Sequence, residues 1–114
     1  ARKAAEAAHC AGDQGKYWEM HDLLFDNQRA LGIEQLKTYA RRLNLDATVF
    51  DRCLDQGTYA AEIQRDYTEG VAAGIRGTPG FFLGKTTGDG VIQGTLISGA
   101  QPISAFRQAI EKLL

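Results

Sequence analysis

The chain has 114 residues, 44% of them hydrophobic and 24% charged, which is enough sequence to bury a single core. A formal net charge of −1 does not favour binding to nucleic acid or to an anionic membrane. No apolar run approaches the roughly 18 residues of a transmembrane helix, and no signal peptide opens the chain. The sequence therefore predicts a soluble globular domain with no nucleic-acid partner and no stable membrane insertion.

Helical patterns dominate the chain up to about residue 73. An alanine-rich helix runs from the start of the chain to about Gly12, with no N-cap residue ahead of it. The chain also starts at Ala1 and has its single methionine at position 20, so we expect it to be a piece of something longer. A second helix over residues 16–27 puts Tyr17, Met20 and Leu24 on a buried face, with Trp18, His21 and Phe25 on the adjoining stripe.

Three more helices are predicted before the pattern changes. The first places Ile33, Leu36, Tyr39, Ala40 and Leu43 on its apolar face. Asp46 is the expected N-cap of a short helix that Gly57 ends, and its apolar residues are Val49, Phe50, Cys53 and Leu54. A longer helix, ending near Gly74, has an apolar residue at every fourth position: Tyr59, Ile63, Tyr67 and Val71.

A β-hairpin and a closing helix are predicted for the rest of the chain. Strand-like runs at residues 81–83 and 91–97 flank an Asp-Gly turn, and Pro102 suits the first turn of a final helix. Because a two-stranded hairpin is at best marginally stable alone, we expect at least one further strand from elsewhere. An exposed sheet edge recruits partners, so the sequence also predicts self-association, with strand pairing as one route.

Several common functional motifs are absent or incomplete. Residues 80–86 have three residues between their glycines, whereas a phosphate-binding P-loop needs four. Neither serine, Ser98 or Ser104, lies in the nucleophile motif of serine hydrolases. The two histidines and two cysteines have no metal-ligand spacing, so neither a metal nor a cofactor is predicted. Tyr17 and Trp18 are expected in the core, His9 at the surface, and His21 in a hydrogen bond across a helix interface.

Four segments, in the right order, resemble DsbA-like thioredoxin-fold proteins. They are AAHCAGDQGKYWEMHDLLF at 7–25, FDRCLD at 50–55, GIRGTPGFFLG at 74–84 and GAQP at 99–102. The resemblance covers essentially the whole chain and implies a truncated α/β, thioredoxin-like fold. It implies a helical insertion domain over residues 1–74, followed by the C-terminal strand-strand-helix half of the thioredoxin fold over residues 75–114.

The resemblance implies a bacterial thiol:disulfide oxidoreductase of the periplasm or cell envelope. Its expected partners are unfolded or exported polypeptides and a redox protein. The family's redox centre is a C-x-x-C, which these 114 residues lack, so we expect this chain alone to be inactive. Thr78 and Pro79 are the retained part of the substrate site: the resemblance implies a cis bond between them and a Thr78 backbone available to an extended peptide. Gly80 stands where many relatives carry a larger residue.

Cys10 and Cys53 leave three interpretations open: a structural disulfide, buried free thiols, or redox chemistry. An exporting compartment favours a disulfide, and apolar helix faces favour inert thiols. Cys10 lies at the end of its helix, where the helix dipole opposes a thiolate. Some DsbA-like proteins carry a second, non-catalytic cysteine pair, and this resemblance supports the structural disulfide.

Two other function classes remain open. One is a non-catalytic peptide-binding or interaction module on a thioredoxin-like fold. The other is a glutathione-dependent or isomerase-like relative with a single reactive serine or cysteine at the missing helix start. The sequence upstream of Ala1 would discriminate among these classes.

Overall fold

The computed structural model describes residues 1–90 and 94–114, and its elements follow the predicted order of helices, then strand, strand and helix. They are α1 Arg2–Gly12, α2 Tyr17–Asp26, α3 Ile33–Arg42, α4 Ala47–Asp55, α5 Ala60–Ala72, β1 Gly80–Gly84, β2 Gly94–Ser98 and α6 Ile103–Leu113. The chain forms two compact units, residues 1–67 and 68–114, whose boundary lies inside α5. The domain boundary expected from the sequence, between residues 74 and 75, remains a prediction.

The core of the first unit lies between α1, α2, α3 and α4. Helix α1 supplies mostly alanine, and these small side chains allow α2, α3 and α4 all to pack against it. The larger buried side chains come from the other three helices and are Met20, Leu36, Tyr39, Phe50 and Leu54. The predicted buried faces of α2, α3 and α4 are therefore confirmed at these positions, with Tyr17, Leu24 and Leu43 packed at the edge of the core.

Several residues on the predicted apolar stripes are exposed. Trp18, expected in the core, is 66% exposed, and Ile33 and Val49 are about half exposed. Helix α2 packs against α1 and α3 in the described structure, and this contact covers only the stripe that includes Met20. Helix α5 has no buried residue, and its Tyr67 and Val71 are more than half exposed. Helical periodicity thus located the apolar side of each helix but overestimated how much of it is covered.

The predicted N-cap of α4 is present. A side-chain oxygen of Asp46 accepts a hydrogen bond from the Val49 backbone N–H at 3.1 Å, which satisfies one of the unpaired donors at the helix start. At the other end of the helix Gly57 has a φ of +64°, a conformation that glycine adopts at little cost.

Replacing Asp46 by alanine is expected to lower the free energy of unfolding of the first unit by about 1 kcal/mol, because the Val49 N–H loses its acceptor. Urea unfolding followed by the fluorescence of Trp18, the protein's single tryptophan, measures the change. Asp46→Asn keeps a side-chain oxygen at the cap and should retain most of the stability. An equal loss in both variants would contradict a capping role.

The second unit is built on the antiparallel pair of β1 and β2. The register runs from Gly80 opposite Ser98 to Gly84 opposite Gly94. The predicted pairing is confirmed, and the backbone N–H of Gly90 donates to the carbonyl oxygen of Thr87 in a turn between the two strands. Residues 91–93, part of the predicted second strand, lie outside the described residues.

Helix α6 packs against β1 in the second unit. The ring of Phe81 meets that of Phe106 edge-on, with centroids 5.0 Å apart, a favoured arrangement for two aromatic side chains. Pro102 is the N-cap residue of α6, in line with its predicted place at the helix start. In the part of the chain that the structure describes, no helix is both long enough and apolar enough to cross a membrane.

Candidate functional site

The first candidate site is the loop that leads into β1. The peptide bond between Thr78 and Pro79 is cis, as the family resemblance implied. Gly77, Thr78 and Pro79 are all exposed, and β1 begins at the next residue, Gly80. A proline cannot donate a hydrogen bond to a neighbouring strand, so the start of a strand is one of the few positions in a sheet that tolerate it.

Two contacts position this loop, one with the end of β2 and one between Gly80 and Ile75. The backbone N–H of Gly99 donates a hydrogen bond to the carbonyl oxygen of Pro79 at 2.8 Å, and Gly99 has a φ of +81°. Gly80 packs closely against Ile75: a Cβ atom at position 80 would lie 3.3 Å from three carbon atoms of that side chain. The loop is therefore positioned by its own unit, while Thr78 remains at the surface.

A small open pocket of about 170 Å³ lies beside the loop. It is lined by Ile75, Arg76, Gly77, Thr78, Gly80, Leu96, Ser98 and Gly99. Arg76 is the charged residue of this lining, and the others are glycines, aliphatic residues and two hydroxyl residues. Within residues 1–90 and 94–114, no hydrogen bond engages the backbone of Thr78. An exposed backbone beside a shallow pocket can pair with an extended peptide and receive one of its side chains.

The second candidate site is the disulfide in the first unit. Cys10 and Cys53 are bonded, which joins α1 to α4 with a Cα–Cα distance of 5.9 Å. The predicted disulfide pairing is therefore confirmed, and the alternative of buried free thiols is wrong. Cys10 is 1% exposed, whereas Cys53 is half-buried at the edge of the core. Access to the bond from solvent is therefore mainly through Cys53.

A carboxylate and a phenol lie beside this disulfide. One oxygen of Asp13 accepts a hydrogen bond from the Tyr59 hydroxyl, and the other lies 4.0 Å from Sγ of Cys53. The hydrogen bond to Asp13 raises the pKa of Tyr59 above its usual value, and burial adds to the effect. Tyr59 is therefore neutral at physiological pH, and Asp13 provides the negative charge next to the bridge.

A row of aromatic rings runs from Tyr59 along α2. The ring of His9 stacks on Tyr59 at 5.0 Å and meets Tyr17 edge-on at 5.4 Å. His21 continues the row beside Trp18 and Phe25. Its Nδ1 lies 3.1 Å from a carboxylate oxygen of Asp22 on the same helix, so the predicted hydrogen bond across a helix interface is wrong. His9, expected at the surface, is half-buried by its aromatic neighbours.

The sequence indicated Thr78, Pro79, Cys10 and Cys53 but missed the side chains around them. Asp13 and Tyr59 are 46 residues apart, and no local pattern connects them. Arg76 was within reach of sequence reasoning, since it lies two residues before Thr78. The structure places the Thr78–Pro79 loop in the second unit and the disulfide in the first.

Comparisons with known proteins match the chain to a family model and to parts of longer curated proteins. A family model described as the DSBA-like thioredoxin domain matches residues 1–111. The Na(+)/H(+) antiporter NhaA 1 of Salinispora arenicola is 45% identical over 83 residues, which cover 73% of this chain and 13% of that protein. The Na(+)/H(+) antiporter NhaA 3 of Salinispora tropica is 38% identical over 109 residues, which cover 96% of this chain and 17% of that protein. The chain thus spans less than a fifth of these curated relatives, and no solved structure matches it.

Proposed function

The chain belongs to the DSBA-like thioredoxin domain family, and from this membership we propose that it docks substrate for a thiol:disulfide oxidoreductase acting on exported proteins. The fold is mixed, with helices and a small antiparallel sheet, in line with a truncated α/β thioredoxin-like fold. Thiol:disulfide exchange is the activity of the family. In this proposal the exchanging C-x-x-C comes from outside these 114 residues, because the two cysteines present are bonded to each other.

The exposed backbone of Thr78 carries the proposal. A polypeptide substrate presents its cysteine on an extended segment, and such a segment binds by main-chain hydrogen bonds to an exposed strand or loop. Thr78 is separated from β1 by Pro79 alone, and within the described chain its backbone has no hydrogen-bond partner. The adjacent pocket of about 170 Å³ is large enough for a small side chain. The geometry therefore supports docking of an extended peptide at Thr78 and Pro79.

Replacing Thr78 by proline is expected to weaken peptide binding on the order of tenfold, because it removes the backbone N–H that the peptide would engage. An NMR titration with an unstructured peptide, carrying serine in place of cysteine, measures the affinity and locates the shifts. The spectrum of each variant also reports whether the second unit is folded.

Thr78→Ala is the matched control, since it removes the side chain and keeps the backbone N–H. It should bind the peptide as the wild-type chain does. Equal affinity in all three proteins, or resonance shifts that avoid residues 77–80 and 98–99, would contradict docking at this loop.

A non-catalytic peptide-binding module would pass the same binding test. The coding region around the 114 residues separates the two functions. A C-x-x-C at the start of a helix supports the oxidoreductase, whereas the same strand and helix without cysteines supports the binding module. A single serine or cysteine at that place would support a glutathione-dependent or isomerase-like relative instead.

The curated relatives favour a second, compatible proposal: the chain is one domain of a larger membrane transport protein. Both relatives carry the name Na(+)/H(+) antiporter, and in NhaA 3 a region matching 96% of this chain occupies 17% of the protein. A continuous reading frame that joins this domain to several long apolar spans would support the proposal. A frame that ends without such spans would contradict it.

The expected location and partners follow from these proposals. Exchange with exported polypeptides requires a site outside the bacterial cytoplasm, in the periplasm or cell envelope, and a redox protein to restore the C-x-x-C. Self-association through the exposed edge of the two-stranded sheet also remains a proposal.

A further inference from the structure

The Cys10–Cys53 disulfide has a negative charge at its accessible side. Cys10 is fully buried, so an incoming reductant reaches Sγ of Cys53 first. A carboxylate oxygen of Asp13 lies 4.0 Å from this sulfur, and the hydroxyl of Tyr59 holds the other oxygen of the same carboxylate. The His9 ring stacks on Tyr59 and restricts it in turn.

Disulfide exchange at this position would bring a second negative charge next to Asp13. The attacking group is a thiolate, which forms a bond to Sγ of Cys53 while the Cys10–Cys53 bond breaks and Cys10 leaves as a thiolate. A second thiolate of a dithiol reductant then releases Cys53, so that the reductant is oxidised by two electrons and both cysteines take up protons. Asp13 is exposed, so water weakens the repulsion between its carboxylate and a thiolate arriving at Sγ of Cys53, but at a separation of a few ångströms it does not abolish it.

We propose that Asp13, positioned by Tyr59, protects the Cys10–Cys53 disulfide from thiol exchange by repelling the attacking thiolate. The Asp13 carboxylate acts directly on the approaching thiolate, and Tyr59 is the positioning residue that holds this carboxylate beside Cys53. A domain of an oxidoreductase family encounters reactive thiolates, and a structural bridge that exchanged with them would compete with substrate. The protection concerns Cys10 and Cys53 alone and does not require the proposed peptide docking.

The test is the rate of reduction of the 114-residue chain by two reductants of different charge. Dithiothreitol attacks as a thiolate, whereas tris(hydroxypropyl)phosphine attacks as a neutral molecule. Asp13→Asn removes the charge and keeps an oxygen that accepts from Tyr59. We expect dithiothreitol to reduce this variant on the order of tenfold faster than the wild type, and the phosphine to reduce both at the same rate.

Asp26→Asn is the matched control, because it removes the same charge at a distant position. Asp26 is the last residue of α2 and lies roughly 13 Å along the helix axis from Tyr17, the first residue of that helix. Its rate with dithiothreitol should equal that of the wild type. Equal dithiothreitol rates in the wild type and Asp13→Asn would overturn the proposal. Faster reduction of Asp13→Asn by both reductants would overturn it too, in favour of local unfolding, as would an equal acceleration in Asp26→Asn.

Discussion

Replacing Phe50 by alanine is expected to lower the free energy of unfolding of the first unit by about 4 kcal/mol. Phe50 lies on α4, is 0% exposed, and has the largest volume among the fully buried side chains of the described residues. Its removal takes apolar surface out of the core and leaves a cavity that the short alanine side chains of α1 cannot fill. Urea unfolding followed by Trp18 fluorescence gives the change, since Trp18 belongs to the same unit.

Phe25→Ala is the control for the Phe50 variant. Phe25 has the same side chain but is 62% exposed, so its replacement should cost less than about 1 kcal/mol. A loss of similar size in both variants would show that burial of Phe50 between the helices is not what stabilises the unit.

Replacing both cysteines by alanine is expected to cost the same unit about 4 kcal/mol. The bond closes a loop of 43 residues, and in the chain-entropy model it stabilises mainly by restricting the unfolded chain. Urea unfolding under non-reducing conditions compares the double variant with the wild type.

A reductant strong enough to break the bond is the control for the cysteine variant. It should lower the stability of the wild type towards that of the double variant and leave the double variant unchanged. If the double variant unfolded at the same urea concentration as the oxidised wild type, the disulfide would contribute nothing to the stability of the first unit.

The helices were predictable because each carries its own local pattern. The N-cap at Asp46, the buried Met20 and the buried face of α3 are readable from spacing alone. The exposure of individual side chains could not be predicted in the same way. Trp18 and Val49 lie on predicted apolar stripes but are exposed to solvent, because the burial of a helix face depends on how many other helices pack against it. The number of helices that pack against a given face is set by the tertiary structure, and the local periodicity of the sequence does not encode it.

The two candidate sites differ in how far the sequence revealed them. The Thr78–Pro79 loop was recognisable because the whole motif lies within a few consecutive residues. The disulfide pairing remained one of three interpretations, since a bond between α1 and α4 requires the two helices to be brought together first. Asp13 and Tyr59 were invisible, because their contact exists only after that packing has formed.

The close approach of Gly80 to Ile75 couples two positions that lie on either side of the Thr78–Pro79 bond. The space that a side chain at position 80 would need is already occupied by Ile75, which also lines the pocket beside Thr78. A side chain at position 80 would therefore require Ile75 to shift by a few tenths of an ångström. Because Gly80 and Ile75 both line the pocket, a side chain added at position 80 would change the shape of the pocket beside Thr78 as well.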